Sequence, residues 1–152
     1  PISKLESLMC YDCAFEGELD ENCNYKFFLI VHVPITTLCP CSKEISDFGA
    51  HNQRAILKIK ISYNNNEQIW LEDLIKTAES CGSSEIYPLL KREDEKFVTE
   101  AAYKNPKFVE DVIRDIVTKL KEDNRITFFE VEMEAFESIH NHNAWAYQKY
   151  SK

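Results

Sequence analysis

Three stretches of the chain carry apolar residues at every second position, which is the pattern of strands buried on one face. They cover residues 25–35, 54–63 and 125–135. Their apolar positions are Phe27, Leu29, Val31, Val33 and Ile35, then Leu57, Ile59, Ile61 and Tyr63, then Phe129, Val131, Met133 and Ala135. Charged or hydroxyl side chains fill most of the alternate positions in the second and third stretches, whereas the first is nearly continuous strand material. Three half-buried strands are therefore predicted.

Helical spacing of apolar residues follows the second of these strands. Asn64-Asn65-Asn66 predicts a turn, and the helical pattern then runs from Trp70 to Ala78 and is expected to stop at Gly82. A wide apolar stripe from Phe108 to Leu120 predicts another helix that packs on a sheet. Residues 94–103, between these two, also favour a helix.

Two weaker strands are predicted at the ends of the chain, over 11–19 and 144–150. The main elements then follow the order strand, strand, helix, helix, strand, strand, without an internal repeat or a low-complexity linker. This order indicates a single domain of the α+β class, with an antiparallel sheet and its helices on one face.

Composition and charge exclude several classes of protein. The chain has 152 residues and a formal net charge of −8, and no Lys/Arg cluster is dense enough to neutralise a nucleic-acid backbone. No apolar run approaches the roughly 20 residues that cross a bilayer. We therefore expect a soluble protein, located by default in the cytoplasm, with no nucleic-acid or membrane partner.

The six cysteines do not form an obvious disulfide framework. Cys39 and Cys41 flank a proline and are too close for an easy mutual bridge. Cys10 and Cys13 have the spacing of a redox or zinc pair but lack a second pair, and as strand residues they are ordinary small hydrophobes. A reducing compartment is the expected environment.

Three groups of residues are candidates for chemistry: Cys39, Cys41 and His51 in a loop between two strands, Glu95 and Glu110 around the helices, and Glu137, His140 and His142 after the acidic strand. Thiolate, imidazole and carboxylate are the ligands of Zn²⁺ and its first-row neighbours, and a catalytic site needs only three of them. Loop segments that are distant in sequence can meet at one edge of a sheet. A metal site is therefore one interpretation of these groups.

A structural interpretation stands beside it. Loop histidines are mostly solvated and loop cysteines mostly incidental, and Glu110, at the edge of the apolar stripe, either leans over the sheet edge or is simply solvated. Glu137 is different because continued alternation would place it on the apolar face with Met133 and Ala135. A carboxylate at such a position requires a reason.

Three motifs resemble the prokaryotic GTP cyclohydrolase type IB family. They are VPITTLCPCSKEISDFGAHNQR, LLKREDEKFVTEAAYKNPKFVEDVIRD and ESIHNHNA, and the opening PISKLESLM is also similar to the family. The resemblance runs from about residue 29 to residue 145. It implies a tunnelling fold, a twisted antiparallel sheet with two helices on one face, whose modules assemble side by side into a barrel.

The same resemblance implies hydrolysis of GTP to 7,8-dihydroneopterin triphosphate and formate, the first step of tetrahydrofolate biosynthesis. Family members are similar to two such modules in tandem, and residues 1–152 resemble only the C-terminal one. The implied partners are therefore GTP and either further copies of the chain in a homo-oligomer or an N-terminal module.

Roles for individual residues also follow from the resemblance. Cys39, His51 and Glu95 match the family's metal ligands, and Cys41 matches a second cysteine that is either an alternative ligand or a catalytic thiol. Glu110 matches the carboxylate that anchors the purine ring. The remaining polar wall of the pocket is matched by Glu137, His140 and His142.

Physical chemistry supports this division of roles. A divalent metal, Zn, Mn or Fe, lowers the pKa of bound water toward ~7 for attack on C8 of guanine, and histidines are natural proton carriers. A carboxylate that accepts two N–H bonds would select guanine over adenine, because adenine would leave its lone pairs unpaired. Arg54 and Arg92 are among the basic residues nearest the motifs and are proposed for the triphosphate.

Two other functions are compatible with the same fold. A nitrile reductase of deazaguanine metabolism uses a cysteine nucleophile and NADPH, but here the thiols form a Cys-Pro-Cys pair followed by a histidine, and the lysine-rich cofactor motif is not apparent. A non-catalytic subunit would use the metal only structurally and would assemble with other chains or present a ligand.

Overall fold

A single antiparallel sheet and four helices make up the part of the chain that the computed structural model describes, residues 1–64 and 67–152. The strands lie side by side in chain order, each antiparallel to the next. They are β1 (Asp12–Leu19), β2 (Tyr25–Leu38), β3 (Asn52–Tyr63), β4 (Ile126–Ala135) and β5 (Ala144–Ser151). The helices are α1 (Pro40–Ile45), α2 (Leu71–Glu79), α3 (Arg92–Lys104) and α4 (Val109–Glu122).

The core is built from rows of apolar residues that cross the three central strands. One row joins Leu29, Ile61 and Phe129, and the following rows keep the same register two residues further along each strand. These rows continue through Val31, Ile59 and Val131, then Val33, Leu57 and Met133, and end at Ile35, Ala55 and Ala135. Nearly all of these side chains are fully buried, because period-two alternation places them on one face.

Two helices cover this face of the sheet. The stripe of α4 buries Val112, Ile116 and Leu120 in the core, and α2 contributes Leu74 and Ala78. Burial of a side chain of this size contributes about 1.5–3 kcal/mol, so the stripe explains why α4 stays on the sheet. Among the described residues, no helix is long and apolar enough to cross a membrane.

The predicted α+β class, an antiparallel sheet with two helices on one face, is confirmed, and the described residues also contain two further helices. The predicted helix over 94–103 is present as α3, and a short helix that was not predicted, α1, begins directly after Cys39. Six residues are too few to show a helical period, which explains why α1 was not predicted. The expected turn at Asn64-Asn65-Asn66 falls partly on Asn65 and Asn66, which lie outside the described residues.

Gly82 has a different role from the helix stop that was expected. Helix α2 already ends at Glu79, and Gly82 instead lies against β2. A Cβ atom at this position would be 3.0 Å from the Ile35 Cβ and 3.2 Å from the Thr36 carbonyl oxygen. The glycine therefore allows the segment after α2 to approach the sheet closely.

Asp94, in the first turn of α3, holds the N-terminal segment of the chain. Its Oδ1 accepts hydrogen bonds from the backbone N–H groups of Ile2, at 2.7 Å, and Ser3, at 2.9 Å. Its Oδ2 accepts from the Ser3 hydroxyl and from the Lys91 N–H. The Ser3 hydroxyl first, and then the backbone donors, hold the pKa of the Asp94 carboxyl well below its usual range.

Candidate active site

A row of polar residues ends the apolar core at one edge of the sheet. Beyond the last apolar row, at Ile35 and Ala55, the next positions on the same face are Thr37 and Gln53, which pair across β2 and β3. Glu137 follows two residues after Ala135, as continued alternation predicted. The same alternation that buries the core therefore brings a hydroxyl, an amide and a carboxylate to the edge where the strands end.

The loop after β2 folds back so that Cys39 and His51 become neighbours. The Cys39 N–H donates to the His51 carbonyl oxygen at 3.1 Å, and the His51 N–H donates to the Ser42 hydroxyl at 3.3 Å. Cys39 also caps α1, because its sulfur accepts the Ser42 N–H at 3.4 Å. Pro40 suits the first position of the helix, since its fixed φ is helical and it has no N–H to satisfy.

A chain of side-chain contacts connects His51 to the end of β4. The Nδ1 atom of His51 lies 3.1 Å from Gln53 Oε1 and 3.3 Å from the Ser138 hydroxyl oxygen. Gln53 Nε2 in turn donates to Glu137 Oε1 at 3.1 Å. Residues from β3 and from the segment after β4 are thereby held together at the edge of the sheet.

Two further histidines complete this wall. His140 and His142 stack with ring centroids 5.3 Å apart, and the ring of His140 meets that of His51 edge to face at 6.4 Å. Both side chains are exposed, and neither makes a hydrogen bond to the rest of the described chain. Their nitrogens are therefore available to a ligand.

The start of α4 lines the same pocket. Glu110 is exposed and lines the pocket, while the next residue, Asp111, accepts the Phe108 N–H at 3.0 Å and holds the first turn of the helix. That N–H donor is the main reason why the pKa of the Asp111 carboxyl lies below its usual value. Lys107 joins α4 to β2, because its backbone N–H donates to the Leu38 carbonyl oxygen.

Together these elements enclose a cavity of about 320 Å³. Seven of the ten residues that the sequence predicted for the site line it: Cys39, Cys41, His51, Glu110, Glu137, His140 and His142. Gln53 and Lys107 also line the cavity and Ser138 contacts His51, and none of these three was predicted. A signal existed for Gln53 only, since it is an amide in phase with the apolar positions Leu57 and Ile59.

Three predicted residues lie elsewhere. Glu95 and Arg92 are in the first turn of α3 and line a separate, open depression with Leu90, Lys91 and Glu93. Arg54 pairs with Thr36 and is on the face of β3 opposite to Gln53. The structure therefore does not bring Glu95 together with Cys39 and His51.

Within the described ranges, 1–64 and 67–152, no three His, Cys, Asp or Glu side chains are close enough to hold a metal ion. The pocket nevertheless contains sulfur, imidazole and carboxylate donors of the kind that divalent transition metals prefer. The chain thus offers suitable donor types without, by itself, gathering three of them around one point.

Comparisons with known proteins agree on one family. The family model described as type I GTP cyclohydrolase folE2 matches residues 1–146. A GTP cyclohydrolase FolE2 of Thermosipho africanus is 58% identical over 96% of this chain and 55% of its own length. The protein of the same name from Geotalea uraniireducens is 56% identical over 96% of this chain and 52% of its own length.

A third relative extends the match to the whole chain. The GTP cyclohydrolase FolE2 of Syntrophobacter fumaroxidans is 51% identical over 100% of this chain and 58% of its own length. The chain belongs to the type I GTP cyclohydrolase folE2 family, as its motifs predicted, and its open antiparallel sheet is consistent with a tunnelling-type fold. It spans about half the length of the curated relatives that it matches.

Proposed function

We propose that this chain contributes the pocket of an enzyme that hydrolyses GTP to 7,8-dihydroneopterin triphosphate and formate. The observation that carries the proposal is the single cavity in which two thiols, three imidazoles and two carboxylates meet, in a chain of this family. This combination of groups suits both metal binding and proton transfer. The reaction is the first step of tetrahydrofolate biosynthesis, and we place it in the cytoplasm, where reducing conditions keep cysteines free.

The chain represents, in this proposal, one tunnelling-fold module that corresponds to the C-terminal half of the two-module family enzymes. The length comparison supports this, because the match covers only 52–58% of each relative named above. We therefore infer that residues 1–152 act together with an N-terminal module, with further copies of the chain, or with both.

Cys39 and His51 are the proposed metal donors of the pocket. They are adjacent at the strand ends, and the Nδ1 contacts of His51 leave its other nitrogen for a ligand. Glu95, the third proposed donor, lies in another depression, so a second copy of the chain would have to supply it. A bound Zn²⁺, Mn²⁺ or Fe²⁺ would supply a Lewis acid that makes water acidic enough to ionise near neutral pH.

Glu110 is the proposed anchor for guanine. It lines the same cavity as His51 and is exposed, without a hydrogen bond to other described residues. A carboxylate there accepts the ring N–H and the exocyclic amino group of guanine together. Adenine offers no such pair of donors, and the unpaired carboxylate would cost about 1–3 kcal/mol.

His140, His142 and Cys41 are the proposed proton carriers. Addition of water to C8, opening of the imidazole ring and release of formate each move protons to or from nitrogen and oxygen. Imidazole suits this work because its ordinary pKa is near ~6.5. The stacked pair of histidines lies on the same wall as Glu137, which can receive or orient a proton.

The triphosphate would extend out of the pocket. Arg54 and Arg92, the proposed contacts, do not line the cavity of their own chain. We therefore propose that they bind phosphate across the boundary between two copies, where guanidinium groups make bidentate contacts.

The activity is tested with the protein at its native full length. Metal-free protein is loaded with Zn²⁺, Mn²⁺ or Fe²⁺ in turn, and formate and dihydroneopterin triphosphate are measured after addition of GTP. We expect product with at least one metal and none after a chelator has removed it. Product that persists after complete metal removal would exclude the metal-dependent reaction.

Matched substitutions separate the two halves of the site. We expect Cys39→Ala and His51→Ala to lose bound metal, whereas Cys10→Ala, at an exposed cysteine outside the pocket, keeps it.

Glu110→Gln should retain metal but weaken GTP binding about 10- to 100-fold. Glu122→Gln, at the other end of α4, should leave GTP binding unchanged. Normal GTP binding by Glu110→Gln would show that the anchor is elsewhere.

A non-catalytic binding module is the second candidate function. It is favoured by the length of the chain, which spans about half of the relatives that it matches and would then assemble with another module that carries the activity. Metal and GTP binding without product, at full length and with every metal tested, would support this alternative over the cyclohydrolase.

A further inference from the structure

Gln53 lies where an amide is unexpected. It occupies the same face of β3 as Ala55, Leu57 and Ile59, all fully buried, and pairs with Thr37 across β2. Its side chain is the central member of the contact chain between His51 and Glu137. A polar group at the edge of a core destabilises the fold unless it is hydrogen-bonded. Both the oxygen and the nitrogen of this amide therefore need partners.

The chemistry of Glu137 determines which end of the amide faces which neighbour. A carboxylate oxygen can only accept a hydrogen bond, so the group 3.1 Å from Glu137 Oε1 must be the amide nitrogen. The reverse orientation would place two acceptor oxygens against each other. Gln53 Oε1 is thereby directed toward His51.

This orientation in turn determines where His51 carries its proton. The atom that lies 3.1 Å from Gln53 Oε1 is His51 Nδ1, and an amide oxygen is an acceptor only. The Ser138 hydroxyl oxygen, 3.3 Å away, can accept from the same N–H. Neutral His51 is therefore protonated at Nδ1, and the lone pair is on Nε2.

We propose that Gln53 is a positioning residue that holds His51 in its Nδ1–H tautomer and thereby makes Nε2 the nitrogen with which His51 acts in the pocket. The tautomer assignment depends only on the contacts above. Its use for metal binding rests on the proposed function, in which His51 is a donor. A histidine ligand is commonly fixed in this way by an acceptor at its other nitrogen.

The wild-type protein provides the first test. Native full-length protein with ¹⁵N-labelled histidine is examined by NMR without metal or GTP at about pH 8.5, where ordinary imidazoles are neutral. Resonances are assigned by comparison with His51→Gln protein. We expect His51 to show a protonated Nδ1 and an unprotonated Nε2, and a predominantly Nε2–H form would overturn the proposal without any further variant.

Two variants then test whether Gln53 is responsible. Gln53→Met keeps the length of the side chain but removes both hydrogen bonds, and should shift the ratio of the two tautomers about fivefold or more, the effect of one lost hydrogen bond. Ser138→Ala should leave the ratio nearly unchanged. A shift in Ser138→Ala but not in Gln53→Met would assign the role to Ser138 and contradict the proposal.

A matched control identifies general effects of the substitution. Gln148→Met places the same change on β5, where the side chain is exposed and, among the described residues, bonds only to the neighbouring Lys149 carbonyl oxygen. It should leave the spectrum of His51 as in the wild type. If Gln148→Met and Gln53→Met changed the spectrum equally, the tautomer would not depend on the local contact.

Metal affinity separates failure of this inference from failure of the proposed function. Competition with a chromophoric chelator for Zn²⁺ should show about 10- to 100-fold weaker binding in Gln53→Met. If wild-type protein has the Nδ1–H tautomer but binds no metal, the metal-dependent function fails and the positioning role stands. If metal binds tightly to wild type and Gln53→Met alike, with an unchanged tautomer, the positioning role fails alone.

Discussion

Asp94 and the pocket differ in how fully their polar groups are used. The Asp94 carboxylate is 1% exposed and accepts four hydrogen bonds from Ile2, Ser3 and Lys91, which occupy both of its oxygens. The pocket holds more ionisable groups, yet Glu110, His140 and His142 make no hydrogen bonds to other described residues. Asp94 and Glu110 both lie in the first turn of a helix, so their local backbone is similar.

The difference separates a structural carboxylate from groups that are free to bind. A buried carboxylate with every lone pair occupied holds the chain together and has nothing left for a ligand. Groups that remain unpaired around an open cavity keep their capacity for substrate, metal or water. On this criterion Asp94 has a structural role, holding the N-terminal segment, and the pocket is where polar groups remain free to bind a ligand.

The largest expected effect is on the rate of GTP hydrolysis, which should depend on the pocket histidines. His140→Ala should lower the rate of GTP hydrolysis by about 10²- to 10⁴-fold, because it removes a proposed proton carrier. The free energy of unfolding should change by no more than about 0.5 kcal/mol, since the side chain is exposed. Steady-state formate release and urea denaturation measure the two quantities on the same preparation.

His32→Gln is the control, since His32 is on β2 and does not line the cavity. It should retain near-normal turnover. If His140→Ala lowered stability markedly while its rate per folded molecule stayed normal, His140 would have a structural role like that of Asp94.

A smaller effect is expected for a substitution of Asp94, and it should appear as faster amide exchange in the N-terminal segment. Asp94→Asn replaces one acceptor oxygen with an NH₂ group, which then faces donors from Ser3 and Lys91 or from Ile2 and Ser3. Amide exchange over residues 1–10 should accelerate about tenfold, and the urea midpoint should fall. Hydrogen-exchange mass spectrometry measures the segment directly.

Glu93→Gln tests whether negative charge in the first turn of α3 is enough to hold residues 1–10 in place. Glu93 is exposed, belongs to the same turn, and should be replaceable without faster exchange at residues 1–10. Equal acceleration in both variants would mean that Asp94 acts through the net charge of the turn rather than through its hydrogen bonds.

Elements that bury one face could be predicted from the sequence, whereas features that depend on single hydrogen bonds could not. Strands β2, β3 and β4 and helices α2 and α4 were predictable because each buries one face, and burial imposes a period on the sequence. Helix α1 was not, because its start depends on the sulfur of Cys39 and on one loop hydrogen bond. The fastening role of Asp94 depends on donors 91 and 92 residues away, which no local pattern reveals.

The site was predictable to a different extent. Reactive residue types crowd together in the motifs, so seven residues of the pocket could be selected from the sequence and the family resemblance. Gln53 was missed because a single amide in an alternating strand does not stand out. Arg54, Arg92 and Glu95 belong to the same motifs, yet strand alternation or the direction of α3 takes them out of the cavity. Their roles remain predictions that depend on a second copy of the chain.

The smallest expected effect concerns Asp111. Like Asp94 it is a hydrogen-bonded carboxylate, but it is adjacent to Glu110 of the pocket. Its Oδ2 accepts the Phe108 N–H, and its Oδ1 pairs with Arg114 at the surface. Asp111→Ala should lower the free energy of unfolding by about 1 kcal/mol at pH 7, the usual cost of a lost cap. Because Glu110 is the adjacent residue, GTP binding should weaken as well, but less than in Glu110→Gln.

The pH dependence of this difference tests its origin. The folded-state pKa of Asp111 is lowered, chiefly by the Phe108 N–H, so the carboxylate stabilises the fold above the unfolded pKa of ~3.9. The difference between wild type and Asp111→Ala should therefore shrink as the pH falls below about 4 through the folded-state pKa. Asp73→Ala, in the first turn of α2 but without a capping bond there, should show a smaller difference at pH 7. A difference for Asp111→Ala that stayed constant into strong acid would mean that packing around α4, not the ionised cap, keeps Glu110 in place.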